Sequence, residues 1–277
     1  MNTPHSSPVQ IDKQGAITVI TIMRPQRRNA VDGYTARALF DAFTAFDTDA
    51  HASVAILTGA EGHFCAGADL KQLSLGDEDR QWGAGSAHLD TGKGFLGSLG
   101  PMGPTRMQLS KPVIAAIEGY AVAGGMELAL WADLRVMAQD AVMGVFCRRF
   151  GVPLIDGGSV RLPRLIGQSR AMDLILTGRS VDAAEALQIG LANRIVPSGQ
   201  ALAAAITLAQ QIAAFPQACM RGDRHSALSQ WDWSQEEALH AEFQGGLAVI
   251  ASGETLAGAT AFAQGKGRHG DFAAKAP

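Results

Sequence analysis

Glu127 is the residue in this chain best placed to move a proton. It stands in the run Lys111 to Ala138, KPVIAAIEGYAVAGGMELALWADLRVMA, just after Gly124 and Gly125, and is the only charged side chain between Glu118 and Asp133. A carboxyl with so few polar neighbours to solvate its charge holds its proton more tightly than one in water. The two glycines add a second function. With no Cβ on either, the backbone can turn sharply and leave bare N–H groups at the start of the following helix, where an oxygen or anion can approach. The plainer reading is a helix packed close on a strand, with Glu127 favouring the positive end of the helix dipole. A second stretch argues against it. His63 to Leu70, HFCAGADL, again sets small residues after an apolar strand, Val54 to Thr58. Two such bends can aim donors at one oxygen, and loss of one donor from an oxyanion hole costs about 3–4 kcal/mol of transition-state stabilisation.

The elements that must position these groups read as alternating strands and helices. Ile17 to Ile22 is a β-branched strand stopped by Arg24 and Pro25. From Asp32, a good N-cap, Ala36, Leu39, Phe40, Phe43 and Phe46 recur at helical spacing. Val54 to Thr58 follows as a strand, and Val113, Ile114 and Ile117 mark a buried one that Gly124 and Gly125 should end. Strand, helix, strand, repeated, predicts right-handed crossovers and a sheet layered with helices. Leu70 to Leu109 is punctuated by glycines and reads as a long, mobile or partly helical excursion, with Trp82, Phe95, Leu96, Met102 and Met107 as candidate pocket walls. From Ser159 the chain turns helical: Arg161 to Ile166, Ala171 to Leu176 and Ala183 to Ile189 end at Gly167, Gly178 and Gly190. A last short strand, Asn193 to Val196, precedes a helical tail from Ala201 to about Ala263, broken at Pro216.

Composition excludes several classes. The 277 residues are 47% hydrophobic and 18% charged with a net charge of −3, which offers nucleic acid no basic footprint. No apolar run long enough to span a bilayer escapes interruption by glycine or charge, so no membrane partner is expected. Cys65, Cys147 and Cys219 are odd in number and far apart, which disfavours structural zinc and a disulfide scaffold and suits a reducing cytosol. Residues 1 to 10, MNTPHSSPVQ, read as a loose tail rather than a signal peptide. His63 and His88 carry no catalytic pattern, and Cys147 has no histidine partner nearby in sequence. A dinucleotide-binding fold is disfavoured because the glycines before Glu127 do not form GxGxxG.

Taken together, RPQRRNAVD at Arg24 to Asp32, HFCAGADL, KPVIAAIEGYAVAGGMELAL, FGVPLIDGGSVRLPRLIG from Phe150, LTGRSVDAAEALQIGLANRIV from Leu176 and GKGRHG near the end resemble, in order, the signatures of the crotonase superfamily, the enoyl-CoA hydratase/isomerase group. The resemblance covers most of residues 15 to 200. It implies an α/β crotonase-like fold of repeated ββα units over residues 11–200, binding acyl-CoA, and a helical C-terminal region, 201–277, that builds a homotrimer or a dimer of trimers. It implies that the amides of Ala68 and Gly124 hold a thioester oxygen, and that Glu127 matches the first catalytic glutamate. Further substrate contacts are implied at Arg28, Ala30, Ala66, Gly67, Asp69, Leu70, Tyr120 and Gly125. Asp69 alternatively fixes its loop by accepting backbone N–H groups, and Arg28 alternatively is a solvated loop arginine.

The chain departs from the hydratase pattern at Cys147, where the second glutamate should stand. Asp156 is then the expected second carboxylate, with an N-cap for the helix after Gly157 as the rival reading. Arg148 and Arg149 read either as partners that lower the pKa of Asp156 or Glu127 or as residues lining a subunit contact. The implied activity is that of an enoyl-CoA hydratase-like lyase in the cytoplasm, needing no metal and no cofactor beyond the coenzyme A of its substrate. Double-bond isomerisation or another enolate reaction of an acyl-CoA, and a catalytically weak CoA-binding protein, are the alternatives.

Overall fold

The computed structural model describes residues 7–75 and 95–267. Trp82 and His88 lie outside them. The chain divides into two compact units, one up to Ile212 and one from Ala213.

In the first unit, β1 (Val9–Gln14) and β2 (Ile17–Ile22) form an antiparallel pair. The expected loose tail at residues 1 to 10 is therefore a strand from Val9 onward. Its side chains after Val9 are all exposed, as on a sheet edge, so it lacks the apolar run that marks β2. Helix α1 (Gly33–Thr48) starts at Asp32, whose side chain accepts the Thr35 amide at 2.8 Å, and buries Ala36, Leu39, Phe43 and Phe46. Strand β3 (Val54–Gly59) is parallel to β2 and leads to the one-turn helix α2 (Leu70–Leu73). Strand β4 (Val113–Ile117) is buried along its whole length, as expected of a strand covered on both faces.

Gly124 and Gly125 do not end β4. The chain turns instead at Gly119, at φ +54°, where a Cβ would lie 2.4 Å from the Gly62 carbonyl oxygen. It then forms a short strand, β5 (Tyr120–Val122), before helix α3 (Gly124–Trp131). Strands β6 (Leu134–Ala138) and β7 (Val142–Gly144) follow. Next come α4 (Gly158–Ile166), α5 (Gln168–Thr177), β8 (Ser180–Asp182), α6 (Ala183–Gln188), β9 (Arg194–Val196) and α7 (Ala201–Ala213).

The main sheet runs β1-β2-β3-β4-β6-β9 and is parallel from β2 onward. A second sheet, β5-β7-β8, pairs β5 with β7 in parallel and β7 with β8 in antiparallel. The core lies between α1, α3 and the main sheet, where Phe43 meets Trp131 edge to face at 4.8 Å and the Trp131 indole N–H donates to the Met107 carbonyl.

The second unit holds α8 (Gln217–Ser229), α9 (Gln235–Ala251) and α10 (Glu254–Ala263). Ser234 and Glu237 form a capping box at the start of α9, and the Glu254 carboxylate accepts the Ala218 and Cys219 amides. Leu239, Phe243, Ile250 and Phe262 are exposed on these helices. Among the described residues no single helix is long and apolar enough to cross a membrane.

Candidate active site

The bend after β3 is stitched to both of its neighbours. The Cys65 amide donates to the Tyr120 carbonyl at 2.8 Å and the Val122 amide donates to the Cys65 carbonyl at 3.1 Å, which lays Cys65 alongside β5. On the other side the Ala66 amide reaches the Arg28 carbonyl at 3.0 Å, the Val31 amide the Gly67 carbonyl at 2.8 Å, and the Asp69 amide the Val31 carbonyl at 2.9 Å. Gly67 takes φ +93°, and a Cβ there would lie 2.9 Å from both the Gly124 nitrogen and the Ala123 Cβ. Only a bare Cα lets the two bends touch.

The second bend is tighter still. Ala123 adopts φ +55° without being glycine, held by its amide on the Gly144 carbonyl at 2.9 Å. Backbone in this region carries strain that the surroundings must overcome, a pattern concentrated at functional sites. Gly125 is packed so closely that a Cβ would sit 2.1 Å from the Cys65 carbonyl oxygen. Among the described residues neither the Ala68 nor the Gly124 amide donates to a protein acceptor, although the residues around Ala68 do. Both residues line one cavity of about 180 Å³.

Glu127 reaches the same cavity from the first turn of α3. It is 3% exposed, and its Oε1 accepts the amides of Asp156 at 2.9 Å and Gly158 at 2.8 Å, at the start of α4. Gly158 has to be bare for this approach, since a Cβ would lie 2.9 Å from Oε1. Burial, and then the charge of nearby Asp156, pushes the Glu127 carboxyl up to about 7, while the two amides and Arg161 pull the other way. A group so poised can both give and take a proton near neutrality.

Asp156 is also buried, at 4% exposure, and also borders the cavity. Its Oδ1 accepts the Met102 amide at 3.0 Å and a short hydrogen bond from the Thr105 hydroxyl. It does not cap α4 with its side chain, because Gly157 is the N-cap residue there. Burial raises its pKa against the pull of Thr105, Met102, Arg106 and Arg161. The cation that acts on both carboxyls is Arg161, whose guanidinium donates to the Asp156 and Thr105 carbonyls. Arg148 and Arg149 turn away to the carbonyls of Ile175 and Gly178.

Cys147 lies in the 3-10 turn Phe146–Phe150 on the cavity wall. Burial, and then the Glu127 carboxyl, raises its thiol pKa, so it stays neutral at physiological pH. The rest of the wall is apolar: Leu70, Met102, Phe146, Phe150, Val152, Pro153 and Ile155. Of the expected pocket residues Met102 takes this place, whereas Phe95, Leu96 and Met107 are not on the cavity wall. The sequence marked Cys147 and the motif from Phe150 but not that Phe146 to Ile155 forms the cavity wall, because a 3-10 turn followed by chain without regular structure has no periodicity to read.

Among the expected substrate contacts, Ala66 and Leu70 border the cavity, and Gly67 fits between the bends. Gly125 is buried behind the cavity against Cys65. Asp69 is 5% exposed; it accepts the Lys71 and Gln72 amides at the start of α2 and pairs with Arg24 at 2.9 Å, which is loop fixing. Arg24 also bridges Asp32 at 3.0 Å and donates to the Ala30 carbonyl, a role its place after a strand did not signal. Ala30 is buried under that contact. Arg28, at φ +49°, and Tyr120 lie together outside the cavity, the guanidinium 5.8 Å from the ring centre. The His63 ring is tilted against Tyr120 with its centre 5.6 Å away.

A parallel sheet layered with helices, with a smaller sheet beside it and two free amides and a buried carboxyl on one apolar cleft, is a crotonase-type fold. The model of the family described as enoyl-CoA hydratase/isomerase matches residues 12–268, and the chain belongs to that family. It is 35% identical over 268 residues to the enoyl-CoA hydratase EchA19 of Mycobacterium tuberculosis, covering 95% of this chain and 97% of that one. It is 36% identical over 265 residues to the carnitinyl-CoA dehydratase of Salmonella arizonae, covering 94% and 96%. Among solved structures, the enoyl-CoA hydratase EchA1 of Mycobacterium marinum superposes with a TM-score of 0.83 at 36% identity, over 94% of this chain and 96% of that one.

Proposed function

We propose that this protein is an enoyl-CoA hydratase-like lyase that adds water to, or removes it from, an acyl-CoA thioester through an enolate held by an oxyanion hole. The observation that carries the reading is Glu127: one carboxyl oxygen pinned by two amides, on the same cavity as the unpartnered amides of Ala68 and Gly124. The thioester oxygen accepts from those two N–H groups, which stabilise the charge that develops as the α-carbon becomes enolate-like. Glu127 takes a proton from water as its oxygen bonds to the β-carbon, then delivers that proton to the α-carbon, so the sum is one H and one OH added. Dehydration is the same path reversed. The neutral Cys147 thiol contributes no charge to these steps, and Glu127 serves as both acid and base. Names of relatives, a hydratase and a dehydratase of CoA thioesters, support this chemistry.

The apolar wall from Phe146 to Ile155 suits a hydrocarbon acyl group, and coenzyme A enters as part of the substrate. The exposed apolar residues of α8 to α10 support assembly into a homotrimer or a dimer of trimers, measurable by light scattering. Three free cysteines fit a reducing cytoplasm. Incubation with crotonyl-CoA in isotopically labelled water tests the activity. Hydration adds one labelled water to the product mass, isomerisation leaves the mass unchanged apart from exchange, and binding without turnover over a range of chain lengths would sink the proposal.

A further inference from the structure

We propose that Asp156 is a positioning residue, whose side chain seats the Met102 wall on the oxyanion bend while its backbone amide fixes Glu127. This rests on the hydratase-like reading above. Thr105 is gripped at both ends: its hydroxyl donates to Asp156 Oδ1, and its carbonyl accepts from Arg161 Nη2 at 2.7 Å. Arg161 closes the clamp by donating to the Asp156 carbonyl at 2.9 Å. Oδ1 also takes the Met102 amide at 3.0 Å, so one carboxylate oxygen holds residues 102 and 105 together.

The parts are closely packed around two glycines. At Gly100 a Cβ would lie 2.3 Å from the Thr105 hydroxyl and 3.0 Å from Asp156 Oδ1, and at Gly157 one would lie 2.2 Å from an Arg161 nitrogen. Met102, placed by this clamp, lies directly on the oxyanion bend: a Cβ at Gly124 would meet its sulfur at 2.6 Å. From the same residue the Asp156 amide reaches Glu127 Oε1 at 2.9 Å. Asp156 thus ties the wall of the oxyanion hole to the proton-transfer group, and two hydrogen bonds commit its Oδ1 to that task.

Three variants and two readouts test this, using crotonyl-CoA and the full chain. Asp156→Asn keeps an oxygen acceptor at the same place but removes the charge. It should lower kcat by less than about tenfold and move the acid/base midpoint of the pH–rate profile downward, since Glu127 loses a negative neighbour. Arg161 and Cys147 also face Glu127, and Arg106 faces Asp156; all three stay unchanged in this variant. Thr105→Val, at a residue that does not itself line the cavity, should raise KM and lower kcat several-fold, and Asp156→Ala should exceed it in both. A fall of roughly 10²–10⁴-fold for Asp156→Asn, the range for loss of a general acid or base, with Thr105→Val near the parent, would overturn the proposal in favour of direct proton transfer. Thr105→Val and Asp156→Ala both near the parent in kcat and KM would equally overturn it, leaving only a role in folding. Glu127→Gln distinguishes the two levels: if that variant still turns over, the hydratase-like reading itself fails, whatever Asp156 does.

Discussion

Replacing Glu127 by Gln should remove turnover and, above neutral pH, make the protein more stable. The fold holds this carboxyl at about 7 against 4.5 for a free glutamate, a gap of about 2.5 pH units caused first by burial and then by Asp156. At about 1.36 kcal/mol per unit, keeping the ionised form buried costs about 3 kcal/mol. The pH dependence follows from which state holds the proton. Below about pH 4.5 both folded and unfolded chains are protonated and there is no cost. Between 4.5 and 7 the unfolded chain has released a proton that the folded chain still binds, so stability falls as pH rises. Above 7 the cost is complete. Glutamine fits the same space, accepts the same two amides and never ionises. Glu127→Gln should therefore melt within a degree or two of the parent near pH 5 and on the order of 6–12 °C higher near pH 8.5, at about 2–4 °C per kcal/mol for a chain of this size. Over the same range kcat should fall by about 10²–10⁴-fold. Paired thermal scans at the two pH values decide it: an equal difference at both would mean that Glu127 ionises in the fold as easily as in water, and a loss confined to pH 8.5 that the fold favours the charged form.

Three further substitutions probe the supports of the site. Gly125→Ala pushes a methyl to 2.1 Å from the Cys65 carbonyl oxygen, which as backbone cannot swing aside, so a loss of about 1–3 kcal/mol or more together with activity is expected, read by urea denaturation and a hydration assay. Arg24→Met leaves the Asp69 and Asp32 carboxylates without their cation. Because that pair is only partly shielded from water, the cost should be about 2–4 kcal/mol, at or below the range for breaking a buried pair, and an unchanged urea midpoint would contradict it. Cys147→Glu adds a further carboxyl beside Glu127, besides Asp156, which should raise the Glu127 midpoint in the pH–rate profile; a profile that stays in place would show the two side chains do not face each other.

Much of this molecule was legible along the chain. Helix α1 announced itself by Asp32 and by apolar residues at helical spacing, and β2, β3 and β4 by β-branched runs, because each of these signals is local. The two glycine-marked bends and Glu127 were legible for the same reason: a bare Cα beside a helix start and a carboxyl among apolar neighbours are properties of a few adjacent residues. Tertiary structure decided what depends on distance across the chain. That Gly67 meets Gly124, that Glu127 takes its amides from Asp156 and Gly158, and that Asp156 spends Oδ1 on Met102 and Thr105 involve partners 29 to 57 residues apart. Edge strand β1 and the short β5-β7-β8 sheet were hidden too, since an exposed strand and three-residue strands carry almost no hydrophobic pattern. Residue type thus determined which groups have chemistry to offer. Only packing determined which of them share a cavity, because desolvation and hydrogen-bond geometry are properties of the assembled neighbours rather than of any stretch of chain.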